Sequence, residues 1–357
     1  MKKILSVLIV LSLLTATVFA ASPVISGNFG YGYLFNFDGT SQAYNALGDS
    51  GNTNSGYLYL KTSTDYVDVD LRASTVRAGI EATGTLKLSE LINNVFETEL
   101  PVTLNAYVGN QSPSAKDTFA YTRPGSGDDE ISLNADRADM PIGLSIAYNN
   151  LVTVNAYANI IGTESISGKA GLVEVLATPV DGVNLQVAYG ISQNQDMLQT
   201  KAGENLGYLS DFQTAALVDI ASLANLDFSL DVSGYMEANL AHFTDTLVAK
   251  GAVTGGYDAF GLYAEYTYKA KDAYTDSDTY AGHTLYFGGS YDIASEKAPL
   301  TLGVGTSIKN LSTSATVGAS AYADTTIGGV EFYTEVGVDD FTDVKTGYVC
   351  VASAISF

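Results

Sequence analysis

Side chains along most of this chain alternate with a period of two, in segments of about ten residues bounded by turn residues. In GVNLQVAYGIS, Val183, Leu185, Val187, Tyr189 and Ile191 alternate with Asn184, Gln186, Ala188, Gly190 and Ser192. In FGLYAEYTYKA, Phe260, Leu262, Ala264, Tyr266 and Tyr268 alternate with Gly261, Tyr263, Glu265, Thr267 and Lys269. In VEFYTEVGV, Glu331 and Glu335 fall on the face opposite Val330, Phe332, Val336 and Val338. Successive side chains of a strand point to opposite faces, so each segment has an apolar face and a face of small, polar or aromatic groups. Helical periodicity is nearly absent; LSELINNVF, 88–96, is the one candidate, for a short turn.

The N-terminus bears on what the apolar faces meet. Met1-Lys2-Lys3, the largely apolar Ile4–Leu14 and the small-residue site Val18-Phe19-Ala20 have the layout of a secretory signal peptide. Cleavage is expected after Ala20, dividing the chain into a signal peptide, 1–20, and a single barrel domain, 21–357. No other stretch is apolar for about 18 residues, which excludes helical membrane spans. Without Lys2 and Lys3 the basic residues fall from 17 to 15 against 39 acidic ones, a net charge of −24. Such a chain repels nucleic acid, whose binding rests on phosphate neutralisation. Cys350 has no partner for an internal disulfide. Soluble β-sandwiches also alternate, but the polar faces here are rich in Gly, Ser, Thr, Asn and Tyr with occasional charges, as a water-filled lumen requires. The expected fold is all-β, a transmembrane antiparallel β-barrel.

Counting back from the C-terminus gives strands near 344–357, 329–338, 313–324, 299–309, 282–293, 259–271, 246–257, 225–237, 211–221, 182–192, 167–178, 151–161 and 131–148. Before those come 99–108, 76–88, 66–73, 57–64 and 24–37. The apolar register flips between Leu60 and Val67, and again between Leu71 and Val76, as turns would make it do. The total is about 18 strands. The long polar connections 38–56, 109–130, 193–210 and 272–281 then fall on one side and short turns on the other. The longer 89–98 connection breaks that rule and keeps 16 strands as an alternative.

The last strand alternates Val349, Val351, Ile355 and Phe357 with small or polar residues and ends on an aromatic. With the exported N-terminus and the ten-residue amphipathic strands, this resembles bacterial outer-membrane β-barrels and, among them, the general porins. The resemblance implies that Val349, Val351, Ile355 and Phe357 face lipid and serve as the signal read by the outer-membrane insertion machinery. It also implies a channel for ions and small hydrophilic solutes, and a homotrimer; Ala- and Gly-rich 314–323 is a candidate packing strand. The run Pro-Glu-Phe-Gly-Gly that general porins often carry in their pore loop is absent, as is Trp, so Tyr must supply the interfacial rings.

Candidate site residues obey the same alternation. Lys61, Arg72, Arg77 and Lys87 lie within 27 residues and each is flanked by apolar residues, which turns them to the lumen. General porins resemble this in setting a basic wall opposite an acidic inward loop, and Asp117, Asp128, Asp129 and Glu130 in 109–130 are the candidates for that loop. The competing reading is that the cations neutralise Asp68, Asp70 and Glu81 on the same wall. Asp227, Asp231, Glu265, Glu331 and Glu335 are the candidate lumen carboxylates. They favour mild cation selectivity, as do the acidic connections. An enzyme would need a nucleophile beside a base and a group to orient it. Only His242 and His283 offer an imidazole, neither beside such a partner, so no catalytic role, cofactor or metal is expected. A non-channel outer-membrane structural protein or adhesin is the alternative function.

Overall fold

The computed structural model describes residues 23–43, 55–74, 80–109, 142–159, 170–192, 209–240, 243–270, 282–311 and 314–357. The expected signal peptide, Arg77, Asp117, Asp128, Asp129, Glu130 and His242 lie outside them.

The described strands are β1 Val24–Asn36, β2 Ser41–Ala43, β3 Ser55–Ser63, β4 Val67–Ser74, β5 Ile80–Lys87, β6 Thr103–Gly109 and β7 Ile142–Tyr148. They continue with β8 Val152–Asn159, β9 Ala170–Val180, β10 Val183–Ser192, β11 Leu209–Asp219, β12 Ser229–Asn239 and β13 Val248–Tyr257. The last are β14 Phe260–Lys269, β15 Gly282–Ile293, β16 Leu300–Lys309, β17 Thr316–Ile327, β18 Val330–Val338 and β19 Gly347–Ser356. Among the described residues three α-helices intervene, α1 Leu88–Phe96, α2 Ile220–Ala224 and α3 Phe243–Thr246, with a 3-10 turn at Val344–Thr346.

All strands belong to one antiparallel sheet that closes on itself. β1 pairs with β19 from Asn28↔Ser356 to Asn36↔Tyr348, and on its other edge with β3 from Val24↔Lys61 to Gly30↔Ser55. The short β2 continues that second edge at Tyr33↔Ala43. β2 and β3 share one position beside β1, so the 19 strands make an 18-stranded barrel. Phe357 finishes the seam: its N–H donates to the Gly27 carbonyl at 2.9 Å and its carbonyl accepts from Gly27 N–H at 2.8 Å. Closure leaves no sheet edge, the only way a sheet satisfies its backbone in hydrocarbon.

Turn chemistry sorts the two ends. Asp181-Gly182 and Gly328-Gly329 close two-residue hairpins, with positive φ at Gly182 (83°), Gly328 (59°) and Gly329 (83°). Asn149 (φ 50°) and Asp258 (φ 55°) do the same in the turns after β7 and β13. These turns, 64–66 and 294–299 all lie at one end, and the longest connections by residue count join strands at the other. Near that other end Asp38 accepts from the Thr40 N–H at 2.8 Å and its hydroxyl at 2.7 Å, which lowers the carboxyl below its ordinary range.

Several boundaries differ from expectation by three or four residues, among them the strands expected from 99 and 344, which begin at Thr103 and Gly347. The strand expected from 225 begins at Ser229, because α2 comes after β11; Asp219 caps it by accepting from Ser222 N–H, and left-handed Asn225 (φ 52°) ends it. The segment after β5 is a nine-residue helix rather than a single turn.

Register fixes the two faces. Outward positions carry exposed Leu58, Val108, Leu144, Val173, Leu185, Val253, Leu262, Val304 and Val351. On β1 every outward position from Phe29 through Tyr31, Tyr33 and Phe35 to Phe37 just beyond it is aromatic. At about 3.4 Å per residue these rings run roughly 27 Å along the tilted strand, which spans most of the height of an apolar belt and is not confined to a girdle at one interface. The rings need room that glycine supplies. A Cβ on Gly56 would stand 2.6 Å from the Phe29 ring, and one on Gly27 2.7 Å from that of Phe357.

The inner face repeats the device. Tyr157 covers Gly143, Tyr263 covers Gly288, Tyr322 covers Gly303 and Tyr348 covers Gly337, each ring over a glycine of a neighbouring strand. At Gly288 a Cβ would strike the Val304 carbonyl oxygen as well as the Tyr263 ring 2.7 Å away. Gly288→Ala is expected to destabilise the barrel by about 1–3 kcal/mol through overpacking, read as a lower urea midpoint in lipid; an unchanged midpoint would mean the wall yields there at no cost.

Candidate lumen lining

Cross-strand partners share a face, so the register defines the lumen wall. On the arc from β3 to β5, Lys61 stands opposite Asp70 with Nζ and Oδ1 3.9 Å apart. Lys87 binds Asp68 at 2.8 Å and also donates to the Thr64 carbonyl at 2.9 Å and the Ser63 hydroxyl at 3.2 Å. It is thereby tied to the 64–66 turn, at the end of the barrel rather than its waist. The Arg72 guanidinium lies 5.1 Å from the centre of the Tyr57 ring, a cation–π distance. Two of the expected wall cations are therefore paired with carboxylates of the same wall, one position after another.

The carboxylates are spread around the wall. Asp231 faces the lumen directly across from Asp219 near the short-turn end. Glu265 is buried on β14 and accepts from the Thr267 hydroxyl at 3.1 Å. Glu335 is buried on β18, where the Tyr333 hydroxyl donates at 2.5 Å and that of Tyr348 at 3.0 Å. Tyr333 in turn stacks on Tyr322 with centroids 6.0 Å apart. Glu331 lies nearer the short-turn end, in register with Ala354 and Thr326. Asp227 is a correction: it lies in the exposed connection between α2 and β12, because the strand starts two residues later.

Sequence reasoning passed over Glu174. It is fully buried, at 0% exposure, and takes hydrogen bonds from Asn155 Nδ2 at 2.9 Å and from Gln186 Nε2. The signal was present, since Glu174 sits between Val173 and Val175 on a strand whose outer face is those two valines. Asp292, Asp324 and Glu237 also face inward by register, as do Lys250, Lys269 and Lys309, the last bonded to Asp339 at 3.3 Å. Lumen carboxylates outnumber lumen cations among the described residues.

Exposure differs around the wall. On β8 to β14, Asn155, Gln186, Gln213 and Glu265 are buried with Glu174. On β3 and β4 the side chains of Lys61 and Asp70 are 59% and 46% exposed. Water reaches the wall on that side.

Outside the lumen, Val351, Ile355 and Phe357 are exposed on the outer face, with Val349 partly so, while Cys350, Ala352 and Ala354 are buried behind them. His283 also faces outward, its ring between Tyr266 and Tyr268 with centroids 5.9 and 5.1 Å away. Among the described residues no group of three or more His, Cys, Asp or Glu is arranged to hold a metal.

No protein-family model matches the chain, and no curated protein matches it. Solved structures do. Engineered variants of a porin from Rhodopseudomonas blastica superpose with TM-scores of 0.51, 0.50 and 0.51 at 13%, 14% and 14% identity, each covering 94% of this chain and 100% of theirs. At that identity the likeness is one of fold, a closed antiparallel β-barrel.

The Glu335 cluster makes a testable claim about how this wall holds together. Glu335→Leu removes the acceptor that two tyrosine hydroxyls share, a loss of about 1–3 kcal/mol for each hydroxyl that finds no replacement. The variant should unfold at lower urea, and adding Tyr333→Phe and Tyr348→Phe to it should recover part of the loss.

Proposed function

We propose that the protein is an outer-membrane porin, exported through its N-terminal signal peptide, whose lumen passes ions and small hydrophilic solutes by diffusion. The observation that carries this reading is the 18-stranded closure with an apolar outer face and a polar inner one. Barrels of 16–18 strands are wide enough to enclose an aqueous channel, whereas those of eight are filled by side chains. Water has access along β3 and β4, so the path for solutes runs beside Lys61, Asp70 and Arg72. Asp117, Asp128, Asp129 and Glu130, in the connection from β6 to β7 at the long-connection end, are the acids proposed to face that path. Val349, Val351, Ile355 and Phe357 act as the recognition strand for the insertion machinery, and the small outward residues Ala319, Ala321 and Ala323 of β17 suit packing in a homotrimer.

The wall sets the selectivity. Lys61 and Lys87 have carboxylates beside them, which reduces the field they project into the lumen, and carboxylates outnumber cations around the rest of it. Loop charges beyond about 10 Å from the path are screened at ~0.1 M salt. The channel is mildly cation-selective. A second reading, a closed barrel with a structural or adhesive role, draws on the burial of Glu174, Gln186 and Glu265.

Purified protein in planar bilayers separates the two: stepwise conductance is expected, and its absence in repeated insertions overturns the channel. In the same bilayers the reversal potential across a salt gradient should carry the sign of cation preference and shrink as salt rises. Arg72→Gln should move it further in the cation direction. An anion-selective wild type at low salt would show that the basic residues govern the lumen.

A further inference from the structure

Helix α1 is turned the wrong way for water. At 100° per residue, Leu88, Leu91, Ile92, Val95 and Phe96 fall within roughly 140° of arc, and Ser89, Glu90, Asn93 and Asn94 fill the remainder. A helix on a soluble protein sets its apolar arc against the core. Here the contacts to the protein come from the polar arc, although Glu90 and Asn94 on it are exposed. Ser89 is 3% exposed and its hydroxyl oxygen accepts from Leu104 N–H at 3.2 Å. Asn93 Oδ1 accepts from Leu100 N–H at 2.9 Å, and Asn94 Nδ2 donates to the Tyr66 hydroxyl. Much of the apolar arc faces away: Val95 is 61% exposed and Phe96 72%, with Leu91 also exposed, while Leu88 and Ile92 are half-buried.

Position says what covers that face. The helix directly continues β5 and packs against β6, at the short-turn end of the barrel. Two strands along, the outward Ile146 and Tyr148 of β7 carry the exposed apolar belt to the same end. The exposed apolar side chains of α1 therefore lie at the same end of the barrel as that belt, two strands from it. The helix's one charged residue is Glu90, so apolar burial and not attraction to anionic lipid must hold it.

We propose that α1 is an interfacial membrane helix, its Leu91, Val95 and Phe96 seated in the headgroup–acyl boundary of the leaflet at the short-turn end. Seated on the order of 5–10 Å into that boundary, it fixes how deep the barrel rides on the β5–β6 side. The proposal needs a barrel in lipid but not a conducting one.

The chain contains no Trp, so Phe96→Trp in the full protein carries its only indole. The variant is refolded into phosphatidylcholine vesicles brominated either near the headgroup or deep in the acyl chains. Expected are emission shifted to shorter wavelength than in water, quenching greatest with shallow bromines, and no change when anionic lipid is added. Leu144→Trp, on the lipid face of β7, should be quenched most by deep bromines and so reports insertion of the barrel itself. Unquenched, water-like emission from Phe96→Trp alongside a quenched Leu144→Trp overturns the proposal. A blue shift that needs high protein concentration and shows no lipid quenching also overturns it, since a second copy would then cover the face. If neither indole is quenched, the barrel is not in lipid and both readings fall. Should Phe96→Trp fail to fold, Val95→Trp gives the same readings.

Discussion

Everything in this barrel depends on the backbone hydrogen bonds at one seam. In hydrocarbon an unpaired N–H or C=O costs several kcal/mol, so a sheet that stays open at one edge cannot reside there. Here the open edges of β1 are taken by β19 on one side and by β3, with β2, on the other. Once the ring is closed, the backbone is satisfied without help from side chains. The two faces can then answer to different solvents, and the period of two in the sequence records that division residue by residue.

On the inner face, charge is held by a wall in place of a soluble surface. Lys87 is bound by a carboxylate, a carbonyl and a hydroxyl at once, and Lys61 faces Asp70. Glu335 and Glu174 are each held by two donors that carry no net charge. Neutral donors steady a carboxylate without cancelling its charge, whereas an ion pair does cancel it. The arrangement therefore leaves negative charge standing at β9 and at β18, on opposite sides of the ring, while the arc from β3 to β5 is closer to balanced.

The sequence made the strands and their faces legible because burial there is decided by alternation alone, and alternation survives without knowing any neighbour. The turns at Asp181-Gly182 and Asn149-Asn150 are equally plain, since these residues supply the backbone freedom that such turns need, whereas Gly329 falls within an expected strand. What did not show was whatever depends on a neighbour in space. Asp227 was misplaced because a five-residue helix capped by Asp219 looks, one residue at a time, like the start of the next strand. Glu174 stood out only when Asn155 and Gln186 were brought beside it from adjacent strands. The orientation of α1 was hidden too: the sequence offers 88–96 only as a short turn of helix and does not say which side the barrel would keep. That Phe29 to Phe37 run as a column along the seam became evident only when their strand proved to be the one that closes the ring.

The tyrosines laid over glycines carry a consequence for how such a wall changes over time. Each ring fits only because the facing residue has no side chain, and each bare glycine is shielded only because a ring lies on it. Neither partner can be replaced alone without a clash or a hole, so Tyr322 with Gly303, or Tyr348 with Gly337, should be inherited and lost as couples. Between such couples the lumen surface is free to drift. Lineages of this barrel would then differ freely in the charges that line the passage while keeping its bore, the bore being set by paired positions that substitute together or not at all.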